Sequence, residues 1–155
     1  MSIFYIKIQK INKKIGQLLS LSRLSHLLTL NPEIMVLAQK DPSLKSFLQE
    51  HCELRNDGHC WNKISNKKVV ACMPMHTYGF PVKLDPIVKI CQLYNIVLIE
   101  DAAESLGSLY SNKHTGNFGK ISALSFNGNK PITCGAGGAI ITNDKSKARR
   151  YHCRY

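Results

Sequence analysis

Acidic residues are scarce in this chain of 155 residues, and none precedes Glu33. Ten Asp and Glu residues stand against 21 Lys and Arg residues, so the formal net charge is +11. Long apolar runs are also absent. Nothing approaches the roughly 20 residues of a membrane span, and no apolar core of about 7–15 residues with a cleavage site marks a secretory signal. These absences predict no membrane span and favour a cytoplasmic protein.

The excess of positive charge is compatible with nucleic-acid binding. Much of it lies near the two ends of the chain, however, and no helix-turn-helix, zinc-finger or RNA-binding aromatic pattern accompanies it. We therefore predict no specific nucleic-acid partner. Loose, salt-sensitive binding by a small basic module remains an alternative.

The start of the chain is basic, with positive charges at Lys7, Lys10, Lys13, Lys14 and Arg23. The leucines of residues 17–30 recur at helical spacing, which is typical of an amphipathic membrane-surface helix or an import signal. The alternative, which we favour, is a lysine- and isoleucine-rich start with no selected role. We therefore expect a basic N-terminal segment, residues 1–32, outside the fold of one domain over residues 33–155.

The six cysteines contain no CxxC pair; they are Cys52, Cys60, Cys72, Cys91, Cys134 and Cys153. The His-Cys pairs at 51–52 and 59–60 can be drawn as four zinc ligands, but their spacing is unlike that of known structural sites. Without a secretory signal, reduced thiols are the simpler interpretation. We predict no metal site.

Hydrophobic periodicity predicts alternating strands and helices. Apolar runs favour strands at residues 69–75, 96–100, 121–126 and 139–142. A strand, a helix and a buried second strand predict a parallel crossover, whose ligand-binding groups belong at the carboxyl ends of the strands. The expected fold class is therefore α/β, with a mostly parallel sheet and flanking helices.

Two Asp-Pro pairs indicate helix starts in the same region. Asp41-Pro42 is expected to open a short helix, and Asp85-Pro86 to cap a second one between the first two strands. The polar, turn-rich segment 56–68 between them is expected to be a surface loop.

Two residues near the ends of predicted strands have side chains suited to binding a cofactor. Asp101 follows one strand, and Lys130 lies in a glycine-rich loop 29 positions later (130 minus 101). A carboxylate can keep the ring nitrogen of pyridoxal phosphate protonated, and a lysine can carry that cofactor as a Schiff base. The alternative from the local pattern is a solvated turn lysine among hairpin glycines.

Four stretches carry a resemblance to a known family: residues 73–87, 96–110, 114–130 and 135–144. In this order and spacing they resemble the DegT/DnrJ/EryC1/StrS sugar aminotransferases, which are fold-type-I enzymes dependent on pyridoxal 5'-phosphate. The variants DAAES and SFNGNK are most similar to members acting on nucleotide-linked keto sugars of the legionaminic-acid or perosamine type. The resemblance implies part of the large domain of that fold.

The resemblance also implies roles for single residues. Lys130 matches the Schiff-base lysine, which also moves the proton during transamination. Asp101 matches the partner of the pyridine nitrogen, and Ala103 the small residue against one face of the ring.

Three further positions match the cofactor site less directly. Ser125 matches a phosphate-binding hydroxyl, and Asn127 a polar position of the active site. Glu104 stands near the position of the cofactor's phenolic oxygen, where a carboxylate repels a phenolate unless it is protonated or bridged.

The resemblance implies an enzyme that transfers an amino group, from glutamate in most members, to a nucleotide-linked keto sugar for surface polysaccharides. Full-length members are expected to be homodimers. Family members are much longer, and their upstream Gly-Thr segment and ring-stacking aromatic residue have no counterpart here. We therefore expect a fragment with weak or no activity alone. The alternatives are a non-catalytic fragment that pairs with a full-length homologue, or the small basic nucleic-acid-binding module.

Overall fold

The computed structural model of the chain describes residues 33–37, 44–146 and 148. The basic segment 1–32, the Asp41-Pro42 helix start and Cys153 lie outside these residues. Within the described part, the strands are β1 (Glu33–Leu37), β2 (Cys52–Leu54), β3 (Cys60–Asn62), β4 (Val69–Pro74), β5 (Val97–Asp101), β6 (Leu109–Tyr110), β7 (Lys113–His114), β8 (Ile121–Ser125) and β9 (Gly138–Ile141). The α-helices are α1 (Leu44–His51) and α2 (Leu84–Leu93), and Thr77–Gly79 form a single 3-10 turn.

A five-stranded sheet organises these elements in the order β1-β4-β5-β8-β9. Neighbouring strands from β1 to β8 run parallel, and β9 returns antiparallel to β8. The predicted α/β class with a mostly parallel sheet is confirmed, and the strands predicted at 69–75, 96–100, 121–126 and 139–142 correspond to β4, β5, β8 and β9. Among the described helices, none has the length and apolar character needed to cross a bilayer.

The start of α2 differs from the prediction. The helix begins at Leu84 with Lys83 as its N-cap, so Asp85 lies inside the first turn. The side chain of Asp85 accepts a hydrogen bond from the Tyr110 hydroxyl at 3.1 Å. The predicted capping residue therefore binds a distant side chain, which the local sequence pattern cannot show. Its negative charge in the first turn still interacts favourably with the positive end of the helix dipole.

The predicted loop at 56–68 is wrong in part, because it contains a strand. Residues of β3 pair antiparallel with β2, and the connecting turn is closed by a hydrogen bond from Gly58 N–H to the Arg55 carbonyl at 2.9 Å. Cys60 is fully buried, whereas Trp61 is only half-buried and lies under the cations of Arg55 and Lys68. One buried side chain in a polar segment gives too little periodicity to predict a strand.

The main core lies between α1, α2 and the sheet. It contains the buried residues Leu44, Leu48, Cys52, Cys60, Val69, Cys72, Cys91, Ile96 and Leu98. Four of its members are buried cysteines, which contribute small side chains to the apolar core. Across the described residues, no group of three or more His, Cys, Asp and Glu side chains is arranged to hold a metal ion.

A buried carboxylate connects this sheet to the turn that precedes β8. Glu100 of β5 is fully buried and accepts backbone N–H groups from Gly116 at 2.8 Å, Phe118 at 2.6 Å and Gly119 at 2.5 Å. The Ser122 hydroxyl also points to it at 3.4 Å. Burial alone raises the pKa of Glu100, but the hydrogen bonds from His76 and these three amides together lower it below the ordinary value. Glu100 is therefore ionised and compensated inside the protein.

The glycines of this turn permit that contact. Gly116 has φ +86°, in the left-handed region, and a Cβ on Gly119 would lie 2.9 Å from the Leu98 carbonyl oxygen. Gly119 therefore permits the close approach of the turn to β5, and Gly116 permits the left-handed backbone that aims its amide at the carboxylate.

Glu100→Gln is expected to lower the free energy of unfolding at neutral pH by about 2–4 kcal/mol, because a neutral amide leaves buried donors badly matched. The lowered pKa of Glu100 stabilises the wild type above the ordinary value of 4.5, and this contribution is lost as the pH falls through the lowered value. Urea unfolding of both proteins at about pH 7 and about pH 3 should therefore show a difference that shrinks in acid.

Glu53→Gln is the matched control, because Glu53 lies in the separate two-stranded sheet, has 44% of its side chain exposed and pairs with Arg55. We expect it to change the free energy of unfolding by less than about 0.5 kcal/mol. Equal losses in the two variants would contradict a special role for the buried carboxylate.

Candidate functional site

The carboxyl ends of three parallel strands meet at one edge of the sheet. β5 ends at Asp101, and Met75, which follows β4, forms a parallel bridge with it. β8 ends at Ser125, and its neighbour Ala123 pairs with Asp101. Behind this edge, Ala102, Leu124 and Ala139 form a small apolar cluster. Groups at these strand ends therefore share one rigid support, the usual place for a ligand in an open α/β sheet.

Asp101 is a buried carboxylate with little compensation. Its side chain accepts a hydrogen bond from the Ala103 N–H at 3.1 Å, and the residue is 6% exposed. Burial raises the pKa of Asp101, and the Ala103 amide and the nearby Lys130 ammonium offset only part of that rise. The site therefore favours a further positive group beside this carboxylate.

Lys130 is held at the same edge by Glu104. Its ammonium Nζ lies 2.8 Å from Glu104 Oε1, and the two side chains are 14% and 32% exposed. The other carboxylate oxygen, Oε2, accepts the Tyr78 N–H at 2.8 Å. The hydrogen bond from Lys130, followed by that from Tyr78, lowers the pKa of Glu104. An ionised Glu104 thus has an ammonium partner here, which is the kind of bridge that the sequence left open.

The Lys130 loop is closed by its own backbone. The Lys130 N–H donates to the Asn127 carbonyl at 3.0 Å, and the Cys134 N–H to the Phe126 carbonyl at 3.1 Å. The Phe126 N–H in turn donates to the Gly137 carbonyl at 2.9 Å. These bonds join the loop to the ends of β8 and β9, so the lysine projects from a fixed turn.

The structure brings four of the six predicted site residues together: Asp101, Ala103, Glu104 and Lys130. Ser125 and Asn127 make their described hydrogen bonds within the loop instead. The Ser125 hydroxyl accepts the Asn127 N–H at 3.4 Å, and the exposed Asn127 amide donates to the Asn129 side chain at 3.2 Å. The Ser125 hydroxyl and the Asn127 amide lie at the same strand end. Neither of these two hydrogen bonds involves the side chain of Lys130 or Glu104.

Two buried residues beside the site are not identified by the sequence pattern. His76 and Glu100 are both fully buried, and their side chains are 3.1 Å apart. A strand-end histidine is more often structural, and Glu100 is the last residue of the run IVLIE (96–100). A charged residue that directly continues a buried apolar strand is the signal that could have found one member of this pair.

Comparisons with known proteins agree with this geometry. Residues 59–154, more than half of the chain, match the model of the DegT/DnrJ/EryC1/StrS aminotransferase family. The chain is 48% identical over 85 residues to the GDP-perosamine synthase of Escherichia coli O157:H7, which covers 54% of this chain and 23% of that protein.

Two solved structures resemble the fold. An aminotransferase of the same family from Brucella abortus has a TM-score of 0.55 and 34% identity, over 57% of this chain and 24% of that one. Helicobacter pylori PseC, an aminotransferase involved in the biosynthesis of pseudoaminic acid, has a TM-score of 0.58 and 25% identity, over 88% of this chain and 40% of that one. The chain spans about a quarter of the length of the curated relative above. From the matched segment, the shared fold and the linked motifs, we conclude that the chain belongs to the DegT/DnrJ/EryC1/StrS aminotransferase family.

Proposed function

We propose that this chain supplies the lysine-bearing part of a pyridoxal 5'-phosphate-dependent aminotransferase that aminates a nucleotide-linked keto sugar. The observation that supports it best is the joint placement of the buried Asp101 carboxylate and the Lys130 ammonium at one sheet edge. A turn lysine without function needs no such pairing. The proposal also gives a reason for the poorly compensated burial of Asp101.

The residues present fit the cofactor. A protonated pyridine ring would provide a positive group beside Asp101, and the small side chain of the half-buried Ala103 could pack against one face of that ring. When bound, pyridoxal phosphate supplies an electron-accepting ring that stabilises negative charge on the amino-bearing carbon of the substrate. In this proposal Ser125 binds the phosphate, Asn127 contributes a polar group and Lys130 is the point of covalent attachment.

Lys130 has two tasks in this proposal. Its nitrogen first provides the covalent attachment, and after release it takes and returns the proton on the reacting carbon as general base and acid. Glu104, whose carboxylate lies 2.8 Å from the Lys130 nitrogen, would hold the released lysine side chain within the site. The carboxylate therefore contributes position, which is a large part of catalysis.

The names of two relatives support the substrate class. One is a GDP-perosamine synthase, and another is involved in the biosynthesis of pseudoaminic acid. We infer a nucleotide-sugar acceptor, glutamate as amino donor and a role in surface polysaccharide biosynthesis. The net charge of +11 suits a phosphate-rich substrate.

The complete reaction belongs to a larger assembly in this proposal. Because the chain spans about a quarter of the curated relative, we infer that the remaining cofactor and sugar contacts come from other segments or from a second subunit of a homodimer. A non-catalytic fragment that pairs with a full-length homologue is the second candidate, favoured by the same coverage. In either case we infer that residues 33–155 form the family part and residues 1–32 lie outside it; the family match covers residues 59–154.

Lys130→Ala is expected to abolish covalent attachment of pyridoxal phosphate. Incubation of the full chain with the cofactor, followed by borohydride reduction and peptide mass spectrometry, should mark Lys130 in the wild type. Lys120→Ala is the matched control, because Lys120 is exposed on the turn before β8 and away from Asp101. We expect this control to keep at least about half of the wild-type modification, since surface substitutions change little. Modification spread equally over the exposed lysines would contradict the assignment.

Asp101→Asn is expected to weaken cofactor binding without lowering the stability of the fold. The raised pKa of Asp101 means that its ionisation opposes folding once the pH exceeds the ordinary value of 3.8, so a neutral side chain removes that penalty. The free energy of unfolding at about pH 7 should stay equal or rise by about 1 kcal/mol. The yield of cofactor trapped at Lys130 should fall at least about tenfold, because the ring nitrogen loses its partner. A variant that is less stable yet traps cofactor normally would refute this role.

A further inference from the structure

We propose that His76 is a positioning residue, which through its bond to Glu100 fixes the turn that holds Glu104 against Lys130. This inference deepens the proposed function and rests on it for its biological meaning. His76 is fully buried and does not reach the Lys130 nitrogen through any described bond, so it acts through other groups.

The protonation of the His76 ring follows from its two partners. Nδ1 accepts the Val82 N–H at 3.3 Å, so this nitrogen carries no proton. Nε2 lies 3.1 Å from Glu100 Oε2 and therefore donates to the carboxylate. The ring is thus a neutral bridge between the buried anion of β5 and the backbone at the far end of the 77–82 turn.

Both ends of the turn are attached to His76. Its backbone N–H donates to the Asp101 carbonyl at 3.1 Å, and its carbonyl accepts the Gly79 N–H at 3.3 Å. The ring holds Val82 at the other end. Backbone and side chain of one residue therefore enclose the turn and anchor it beside Asp101.

Tyr78 lies at the centre of the turn in a conformation that L-residues rarely adopt, with φ +54°. Its side chain is 83% exposed and cannot hold that conformation by packing. The backbone geometry instead directs the Tyr78 N–H to Glu104 Oε2 at 2.8 Å. An unusual backbone conformation beside a candidate site indicates a constraint from the surrounding structure, and the His76 anchor provides it.

Glu104 receives one donor on each oxygen. The Tyr78 N–H binds Oε2 and the Lys130 ammonium binds Oε1, both at 2.8 Å. With the Tyr78 bond in place, the carboxylate cannot rotate away from the lysine without losing a hydrogen bond. If the turn loosens, Glu104 loses that restraint and no longer fixes the lysine nitrogen.

The test is a double-mutant cycle that needs no cofactor. Acetic anhydride labels free amines, and peptide mass spectrometry of the full chain gives the labelling of Lys130 relative to the exposed Lys120 in the same molecule. We expect Glu104→Gln to raise this ratio about fivefold because it frees the amine, and His76→Ala to raise it by a similar factor. The double variant should exceed Glu104→Gln by less than about twofold, because both changes break the same chain of contacts.

Local and global effects are separated by hydrogen exchange on the same variants. In His76→Ala, a peptide covering residues 76–82 should exchange at least about tenfold faster, while peptides from β8 and β9 keep their wild-type rates. An unchanged Lys130 ratio in folded His76→Ala would overturn the proposal, and so would fully independent effects in the double variant.

His76→Gln provides a second variant in case His76→Ala does not fold. Its amide N–H can still donate to Glu100, but it places no acceptor at the Nδ1 position for Val82. We expect it to fold and to raise the Lys130 ratio by about two- to threefold, since one of two anchors remains. A folded His76→Gln protein with the wild-type ratio would also overturn the proposal.

The cofactor experiment is independent of this cycle. If pyridoxal phosphate does not modify Lys130 although the labelling cycle behaves as expected, the proposed function fails and the positioning contact stands. If the cofactor is trapped at Lys130 but His76 and Glu104 act independently, the proposed function stands and the positioning role is refuted.

Discussion

The buried negative charge of Glu100 is the constraint on which the site depends. Four strong donors surround it: three backbone amides of the 116–119 turn and the His76 ring. Because an uncompensated charge in the interior is very unfavourable, these segments cannot separate independently. The end of β4, strand β5 and the 116–119 turn before β8 therefore keep fixed positions relative to one another. The groups at the carboxyl ends of these strands are held in place with them.

Two adjacent acids of β5 have opposite environments. Glu100 is saturated with donors, and the balance lowers its pKa, whereas burial raises the pKa of Asp101. Successive side chains of a strand point to opposite faces of the sheet, so one strand can hold both arrangements side by side. The pKa values of the two adjacent carboxylates are therefore displaced in opposite directions by their surroundings, that of Glu100 by its donors and that of Asp101 by burial.

Periodicity predicted what depends on local sequence. The strands β4, β5, β8 and β9 and the α/β class follow from apolar runs, and the Asp101 and Lys130 positions follow from strand ends. The Asp85 cap was wrong: the helix begins at Leu84, and the Asp85 side chain instead binds Tyr110, 25 positions away. β3 was missed because a polar segment contains one buried residue, and the His76–Glu100 contact spans 24 positions. A local pattern can mark one partner, such as the acid at the end of an apolar run, but it does not identify the distant residue that the partner contacts.

The close approach of the 116–119 turn restricts how this protein can diverge. A methyl group at 119 would meet the Leu98 carbonyl oxygen at 2.9 Å, and position 116 needs a left-handed backbone. Asn117, between them, donates its side-chain amide to the His114 carbonyl, three positions earlier in the chain. Homologous chains that keep a buried acid at position 100 should consequently vary at the second residue of this turn while both flanking glycines stay fixed.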